Sequence, residues 1–364
     1  MNHVKYNLQK LTSALTELGY ASFYNTMYPL INYPQKWVVL REVALAELQP
    51  YIDLLLLGHT VSLNSLDHNV AEAICELEKV GLFVFEPDNC VRTTRFVLHP
   101  VMGMWQFYEI PSSSCSLYFG QDSISLITKQ MPVIGKTCLD LCSGPGVQAL
   151  YAAKHGEKVT SVEINPMAAD LARVNAMMNG LEDRISIRLG NLYSAVKGEK
   201  FDRIVANPPF FPFPSSMPYS LIGHGGDDGF EVTWKIIDGL DAHLSEGGTA
   251  QTIGFGLGNS RKKTLLFLPK LQEKAQQQGM NVIVNITNHF QMTDPTQGYF
   301  AGMLDSSHNY SGRPREELLA AMKEWLARMD ADQYIEYDLF ITRGSGIVRI
   351  QDMTAFGDQT AWYI

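Results

Sequence analysis

The chain has 364 residues, of which 46% are hydrophobic and 18% are charged. This composition is typical of a globular protein and argues against a disordered, collagen-like or membrane-spanning chain. The 29 basic and 38 acidic residues give a formal net charge of −9, which disfavours nucleic acid as a partner. Because no apolar run approaches the roughly 20 residues that cross a bilayer, and no secretory signal is visible, we expect a cytoplasmic protein with no membrane contact.

The cysteines argue against a metal site. They are odd in number, scattered among apolar neighbours, and located at Cys75, Cys90, Cys115, Cys138 and Cys142. This pattern indicates reduced and mostly buried thiols. Cys138 and Cys142 are four positions apart, but no second cysteine pair or histidine lies nearby, so we expect no bound metal.

The length suggests two domains, and the first is predicted to be mainly helical. Leu8, Leu11, Leu15 and Leu18 recur at helical spacing and predict a helix over residues 4–19. A second apolar stretch covers residues 43–57. A further helix is predicted from Asp67 to Val80, where Gly81 provides a stop signal.

A β-hairpin is predicted after these helices. Residues 82–85 and 91–98 flank the turn at 86–89, which contains proline, aspartate and asparagine. Helices followed by a hairpin resemble a winged helix. The last helix is acidic, however, with one lysine against four carboxylates, so we expect an accessory domain over residues 1–130 in preference to a DNA reader.

From residue 136 onward, short apolar strands alternate with helices. The predicted strands lie at 137–141, 158–164, 185–189, 203–206, 248–254, 281–287, 334–343 and 346–350. The predicted helices lie at 148–155, 166–179, 231–244 and 314–329. This alternation predicts an α/β domain over residues 131–364, with a parallel sheet covered on both faces and ligands at the carboxyl ends of its strands. Residues 290–312 are predicted to form a mobile loop able to cover a pocket.

A glycine-rich loop follows the first strand of this domain. Gly144 and Gly146 let the backbone approach a ligand at the start of the next helix, where unpaired N–H groups collect. Dinucleotide-binding enzymes share such a loop, and Ala149 occupies the position of their third small residue. The spacing alone therefore leaves the cofactor open.

Two further strand ends carry polar side chains. Glu163 ends the second strand, where a carboxylate can accept both hydroxyls of a ribose. Asn191 follows the third strand and could bind an adenine edge. The alternative roles are a capping carboxylate before Asn165-Pro166 and a turn residue after Gly190. Together with the glycine loop, these residues predict an adenosine pocket.

The fourth strand is followed by Asn207-Pro208-Pro209-Phe210. The two prolines fix φ and supply no N–H, so the carbonyl groups of Asn207 and Pro208 can face a substrate. With the Asn207 amide oxygen, they provide acceptors that can hold an NH₂ group while Phe210 packs against its plane. A structural turn leaving the strand is the alternative.

In this order the motifs resemble class I S-adenosylmethionine-dependent methyltransferases. More narrowly, they resemble the Asn-Pro-Pro-Tyr/Phe branch, which includes release-factor glutamine methyltransferases and amino-directed nucleic-acid methyltransferases. The resemblance covers about residues 115–255, including residues 118–123 before the sheet and 225–229 after the proline pair. It implies a Rossmann-like catalytic domain behind an N-terminal helical, winged-helix-like accessory domain.

The resemblance also implies site residues and S-adenosylmethionine as the cofactor. Asn207, Pro208 and Phe210 would act on the acceptor. The implied cofactor-binding residues are Tyr118, Phe119, Asp140, Cys142, Ser143, Gly144, Gly146, Glu163, Ile164, Asn191, Leu192 and Asn207. The chain departs from the family where Cys142 replaces a common glycine and Asn191 replaces a common acid.

Methyl transfer to a nitrogen of a small-molecule or protein acceptor is the predicted function. The aromatic run from Phe210 to Pro214 favours a small or apolar acceptor. One alternative is cyclisation of S-adenosylmethionine to azetidine-2-carboxylate and methylthioadenosine, because the same acceptors could orient the amine of the cofactor. Another is a non-catalytic, S-adenosylmethionine-sensing DNA regulator. His224, in a glycine loop, could touch the substrate or serve the loop itself, and the oligomeric state stays open.

Overall fold

The computed structural model describes residues 2–26, 34–110, 112, 115–217 and 222–356. The helices are α1 (Asn2–Glu17), α2 (Tyr20–Thr26), α3 (Pro34–Val43), α4 (Gln49–Leu55), α5 (His68–Glu76), α6 (Gln121–Lys129), α7 (Val147–Lys154), α8 (Pro166–Met178), α9 (Glu231–His243), α10 (Leu268–Gln278), α11 (Gly298–Ser311) and α12 (Arg315–Met329). The strands are β1 (Val61–Ser62), β2 (Phe83–Glu86), β3 (Cys90–Thr93), β4 (Phe96–Val101), β5 (Met104–Glu109), β6 (Thr137–Leu141), β7 (Lys158–Glu163), β8 (Ile185–Leu189), β9 (Phe201–Ala206), β10 (Leu244–Asn259), β11 (Thr264–Leu265), β12 (Met280–Gln291), β13 (Gln333–Arg343) and β14 (Val348–Asp352).

The chain forms two compact units, each built from two separate stretches. Unit 1 comprises Met1–Ile124 and Ser143–Leu189, and unit 2 comprises Ser125–Cys142 and Gly190–Ile364. The domain boundary at residue 130 stays a prediction of the sequence pattern. Unit 1 holds α1 to α5 with β1 to β5, and also β7, α7, α8 and β8. Unit 2 holds the remaining strands and α9 to α12.

The amino-terminal helices of unit 1 form where their apolar spacing predicts them. Leu8, Leu11 and Leu15 of α1 are fully buried. The predicted helix over 67–80 is divided: α5 ends at Glu76, and a single 3-10 turn spans Glu78–Val80. Asp67 caps α5 by accepting the N–H of Asn69 at 2.8 Å, and Gly81 ends the segment with a left-handed φ of 77°.

The predicted hairpin is correct in its turn and wrong in its second strand. β2 and β3 pair antiparallel across Asp88 and Asn89, whose positive φ angles of 61° and 58° suit a tight hairpin turn. β3 ends at Thr93, and the residues that follow belong to β4, which pairs with β5 instead. A continuous apolar run therefore serves two different hairpins, a division that side-chain pattern alone does not mark.

Two asparagines of α8 fasten this helix to β5. The Asn175 side chain accepts the N–H of Phe107 at 2.8 Å and donates to its carbonyl at 2.9 Å. Asn179 makes the same pair of bonds with Trp105, at 2.8 and 2.6 Å. The two amide side chains therefore form the backbone hydrogen bonds that a neighbouring strand would otherwise supply to Trp105 and Phe107 of β5.

His99 of β4 is a fully buried histidine of unit 1. Its Nδ1 lies 3.2 Å from the hydroxyl of Tyr108, and the ring of Tyr24 meets it edge-on at 4.3 Å. Burial lowers the pKa of His99 to about 3. The imidazole is therefore neutral in the folded protein at ordinary pH.

The remaining strands of unit 1 make a parallel pair. β7 and β8 pair in register from Val159 with Ile185 to Glu163 with Leu189, and α7 and α8 pack on them. Asn165 caps α8, because its side chain accepts the N–H of Met167 at 3.0 Å. Pro166 is the first residue of the helix.

The strands of unit 2 lie in the order β14-β12-β13-β10-β9-β6, with β11 paired to β10. β6, β9 and β10 are mutually parallel, and β12 is parallel to β14. The central sheet is mostly parallel, which confirms the predicted fold class, and β13 departs from it by running antiparallel to both β10 and β12. The chain between β12 and β13 forms the two helices α11 and α12.

α11 occupies most of the stretch predicted to be a mobile loop, so that prediction is wrong. Its buried residues Phe300, Met303, Leu304 and Ser307 recur at helical spacing. Glycine, serine, asparagine and aspartate fill the other positions and conceal the helix, because their intrinsic helix propensity is low. We call α11 and α12 together the cap. Its core includes Leu318, Met322 and Trp325 of α12.

A tight turn follows β6. Cys142 adopts a left-handed φ of 56°, Gly144 of 52° and Gly146 of 91°. A Cβ on Gly146 would also lie 3.2 Å from the side chain of Ala172. A left-handed φ at Cys142 carries a steric cost that glycine at this position would not have.

We predict that His99 makes stability depend on pH. Because its folded pKa lies below the unfolded value of 6.5, its contribution is complete above pH 6.5 and is lost as pH falls toward 3. The loss amounts to about 1.4 kcal/mol per pH unit. Urea unfolding between pH 6 and pH 4 should show this slope in the wild type and a smaller one in His99→Phe. The exposed His68→Gln is the control, and an identical slope in His99→Phe and wild type would contradict the assignment.

A second prediction concerns the turn after β6. Cys142→Gly should match or exceed the wild type in free energy of unfolding, because it removes the left-handed strain of a side-chain-bearing residue. Cys142→Val should lose about 1–3 kcal/mol, since a β-branched residue resists positive φ. Chemical denaturation measures both, with Cys75→Val on α5 as the control for the same exchange. Equal stability of the glycine and valine variants would refute the strain.

Candidate functional site

Glu163 and the glycine loop meet directly in unit 1. One carboxylate oxygen of Glu163 accepts the N–H of Gly144 at 2.7 Å, and the other accepts the N–H of Asn165 at 2.8 Å. Ser143 donates its N–H to the carbonyl of Val162 at 3.3 Å. Glu163 thus caps the turn, as one sequence interpretation expects, while each carboxylate oxygen keeps a lone pair that a ribose hydroxyl can use.

The other implied residues of unit 1 lie in different environments. The Tyr118 hydroxyl donates to Asp122 at 2.6 Å, and the Tyr118 carbonyl lies 3.8 Å from the point where a Cβ of Gly144 would stand. Phe119 is buried, with its ring 4.9 Å from that of Tyr108. Ile164 is 62% exposed beside Glu163 and offers an apolar surface. Cofactor contact by each of them stays a prediction.

In unit 2, the register of β6 and β9 brings the end of β6 and the proline motif to neighbouring strand ends. Leu141 of β6 pairs with Ala206 of β9. Cys142 and Asn207, which are the next residues on the two strands, therefore leave the sheet side by side. Asp140, one residue before Leu141, is 1% exposed. The structure therefore places Asp140, Cys142 and Asn207 at one edge of the sheet.

Asn191 has a clear local role. It begins the 3-10 turn Leu192–Ala195 with a reciprocal pair of bonds, in which its side chain accepts the N–H of Ser194 and its own N–H donates to the Ser194 hydroxyl at 2.9 Å. Leu192 has a left-handed φ of 48°. The structure supports the turn interpretation of Asn191, and its contact with an adenine edge stays a prediction.

The segment after Asn207 and Pro208 is held by backbone bonds. Phe211 donates its N–H to the carbonyl of Gly223 at 2.8 Å and accepts the N–H of Gly225 at 2.9 Å, and Phe213 donates to Gly226 at 3.0 Å. A Cβ on Gly225 would come within 2.6 Å of the Phe210 backbone, so glycine is required there. The backbone from Phe210 to Phe213 is therefore held in one position against residues 223–226.

Two side chains reinforce this segment. The His224 Nδ1 accepts the N–H of Gly226 at 3.1 Å, which requires an unprotonated Nδ1 and gives His224 a role in the loop. The buried Tyr334 of β13 donates its hydroxyl to the carbonyl of Pro212 at 2.6 Å. Sequence reasoning missed Tyr334, because nothing in the chain links it to a carbonyl 122 positions away.

Aromatic rings continue the surface from Phe210. The Phe210 ring lies 4.8 Å from Phe211 and 5.4 Å from Phe255 between centroids. Tyr299 of α11 lies 5.3 Å from Phe255 and stacks on Phe290 at 4.5 Å. The sequence singles out several of these residues as aromatic, but their assembly around Phe210 depends on β10, β12 and α11.

The described part of the chain contains no group of three or more histidine, cysteine, aspartate or glutamate side chains placed to hold a metal ion. None of its helices has the length and apolar character needed to span a membrane.

Known proteins are similar to the part of the chain that carries these motifs. The family described as methyltransferase small domain matches residues 121–283. A Methanocaldococcus jannaschii protein that bears the name of a protein N5-glutamine methyltransferase is 33% identical over 163 residues, which are 43% of this chain and 80% of that protein.

Two further relatives differ in the acceptor that their names give. The release factor glutamine methyltransferase of Aquifex aeolicus is 33% identical over 156 residues, covering 39% of this chain and 54% of the relative. The tRNA1(Val) (adenine(37)-N6)-methyltransferase of Porphyromonas gingivalis is 36% identical over 115 residues, covering 29% and 45%. The chain thus spans about half the length of these two. Because one relative is named for a tRNA substrate, the expectation drawn from net charge that nucleic acid is disfavoured is not supported.

The sheet of unit 2, the glycine loop and the proline motif agree with these similarities. With a relative covered over 80% of its length at 33% identity, the chain belongs to the class I S-adenosylmethionine-dependent N-methyltransferases, in the Asn-Pro-Pro-Tyr/Phe branch that includes the release-factor glutamine methyltransferases.

Proposed function

We propose that this enzyme transfers the methyl group of S-adenosylmethionine to a nitrogen of a small-molecule or protein acceptor, which Asn207 and Pro208 orient. The observation that carries the proposal is the position of Asn207. It follows Ala206, which pairs with Leu141 on one side and with Thr252 on the other. The motif therefore leaves the sheet between two fixed strands, beside the end of β6.

The residues around the glycine loop fit the cofactor. Glu163 retains acceptor capacity for ribose hydroxyls after accepting two backbone N–H groups. Gly144 has only the Tyr118 carbonyl within 4 Å of its missing side chain, so its backbone can be approached closely. Asp140, Ser143 and Gly146 would meet the methionine end, and Ile164, Asn191 and Leu192 the adenine.

The chain has to position one nitrogen for in-line attack. Bound S-adenosylmethionine supplies an activated methyl group, so the protein needs alignment more than a strong base. The carbonyl of Pro208 and the amide oxygen of Asn207 would accept the two N–H groups of the acceptor and direct its lone pair. The nitrogen–carbon bond forms as the sulfur–carbon bond breaks, S-adenosylhomocysteine leaves, and the nitrogen gives up a proton to solvent.

We expect Asn207→Ala to separate turnover from cofactor binding. Loss of an acceptor that orients the nucleophile should lower turnover by about 100-fold, equivalent to roughly 2.7 kcal/mol. The Kd of S-adenosylhomocysteine, measured by isothermal titration calorimetry, should stay within about two-fold because the remaining cofactor contacts are intact. The exposed Asn69→Ala is the matched control. If Asn207→Ala abolishes cofactor binding, the assigned role is wrong.

A second pair of variants tests the ribose contact. Glu163→Ala removes the acceptor for Gly144, Asn165 and the ribose, and should raise the Kd of S-adenosylhomocysteine by about 10- to 100-fold, as expected for hydrogen bonds to a charged group. Glu163→Gln keeps one acceptor oxygen and should have a smaller effect. Unchanged affinity in Glu163→Ala would remove Glu163 from the cofactor site.

A further inference from the structure

Three strands of unit 2 continue past the point where β9 ends. Ala206, the last residue of β9, pairs with Thr252, whereas β10 continues to Asn259. β13 and β12 accompany β10, with Gly258 and Gln291 both paired to Gln333. At the usual rise of a strand this extension is roughly 20 Å long. It begins at Thr252, beside the last residue before the Asn207–Phe210 motif.

The extension shares a sheet face with Asp140. Asp140 pairs with Val205, and Val205 pairs with Gln251. Because alternate residues of a strand point to the same face, Phe255, four residues after Gln251, lies on the face that carries Asp140. The aromatic residues of the extension therefore belong to the side of the sheet predicted to hold the methionine end of the cofactor.

Three aromatic rings near the extension are partly accessible to solvent. Phe255 and Tyr334 are buried, whereas Phe211, Phe290 and Tyr299 are only partly buried. We call Phe211, Phe290 and Tyr299 the aromatic wall. Tyr299 lies 6.2 Å from Phe211 and 4.5 Å from Phe290 between ring centroids, so the three rings form one continuous surface that leads back to Phe210.

The aromatic wall is rigidly supported. Phe211 is fixed by its backbone bonds to Gly223 and Gly225, and Tyr299 lies on α11, whose Phe300 and Leu304 are buried in the cap. A preformed aromatic surface binds planar groups at little entropic cost, since few side chains have to be ordered.

Charge in the cap argues against phosphate as the recognised group. Three arginines of this region are engaged by carboxylates: Arg313 pairs with Glu317, Arg315 with Asp305 at 3.4 Å, and Arg328 with Asp227 at 3.3 Å. A nucleic-acid backbone would have to compete with these ion pairs for the arginines. Stacking and apolar contact are the recognition chemistry that the wall offers.

We propose that the aromatic wall is the acceptor subsite, and that the acceptor is a small molecule bearing its reactive amine or amide on, or a few bonds from, a planar aromatic ring. This inference rests on the proposed nitrogen methylation. Phe290 and Tyr299 lie outside residues 121–283, which the methyltransferase family matches. The acceptors named for the relatives therefore do not predict this subsite.

Calorimetry on the full-length protein saturated with S-adenosylhomocysteine tests the proposal. Matched probes are tryptamine and 2-phenylethylamine against n-butylamine, and benzamide against acetamide. We expect each ring-bearing probe to bind about 10-fold more tightly than its alkyl partner, as stacking on an aromatic side chain provides. Tyr299→Ala should remove most of this preference and Tyr299→Phe should retain it. Tyr310→Ala, at an exposed tyrosine of the same helix, is the control and should leave it unchanged.

Several outcomes would overturn the proposal. These are equal affinity for ring and alkyl probes, undiminished preference in Tyr299→Ala, or tighter binding of a Gly-Gly-Gln peptide or an adenine-bearing RNA hairpin than of any ring probe. Phe290→Leu gives a second variant should Tyr299→Ala fail to fold by circular dichroism. Failure to bind S-adenosylhomocysteine would refute the proposed function, whereas normal cofactor binding without ring preference refutes only the subsite.

Discussion

The double pairing of Ala206 is the constraint on which the site depends. Leu141 holds it from β6 and Thr252 holds it from β10, so the last residue of β9 is fixed on both sides. Asn207 consequently leaves the sheet in a set direction, and the prolines after it keep that direction because their φ is locked. The same register sets Cys142 one residue beyond Leu141, where a left-handed backbone turns the chain toward the glycines. Further along, Phe211 and Phe213 are held by backbone bonds to the 223–226 segment, and Pro212 is held by the hydroxyl of Tyr334. These bonds fix the segment that follows the proline motif.

The core of the fold could be predicted from the sequence because its signals are local. Asn165 with Pro166 marks the start of α8, Asp67 marks the start of α5, and short apolar runs mark β6 and β8. The direction of β13 and the presence of α11 could not be predicted. Both depend on burying Phe300, Met303 and Leu304 against distant strands, and tertiary packing outweighs the poor helix propensity of the residues between them. The split of the apolar run at Thr93 is likewise decided by partners, since β4 pairs with β5 and not with β2.

The site shows the same division between local and distant information. The proline motif and the glycine loop could be assigned from residue chemistry, because their backbone geometry follows from proline and glycine themselves. The role of Asn191 could not, since a turn-capping asparagine and an adenine-binding one follow a strand equally well, and its bonds with Ser194 become visible only in the structure. Glu163 caps the turn through Gly144 and Asn165, and its contact with a ribose stays a prediction. Tyr334 carries no signal in its neighbourhood at all.

A family core followed by the cap accounts for these features together. The core is that of a nitrogen methyltransferase, and α11 of the cap places Tyr299 beside Phe211 and Phe290. The central claim is intermolecular methyl transfer, and the most direct measurement is mass spectrometry of the products formed from S-adenosylmethionine with and without 2-phenylethylamine or tryptamine. The account predicts S-adenosylhomocysteine and an N-methylated amine only when the acceptor is present, with about 100-fold slower formation of both in Asn207→Ala. Methylthioadenosine formed without any acceptor would contradict it, because the cofactor would then be reacting with itself.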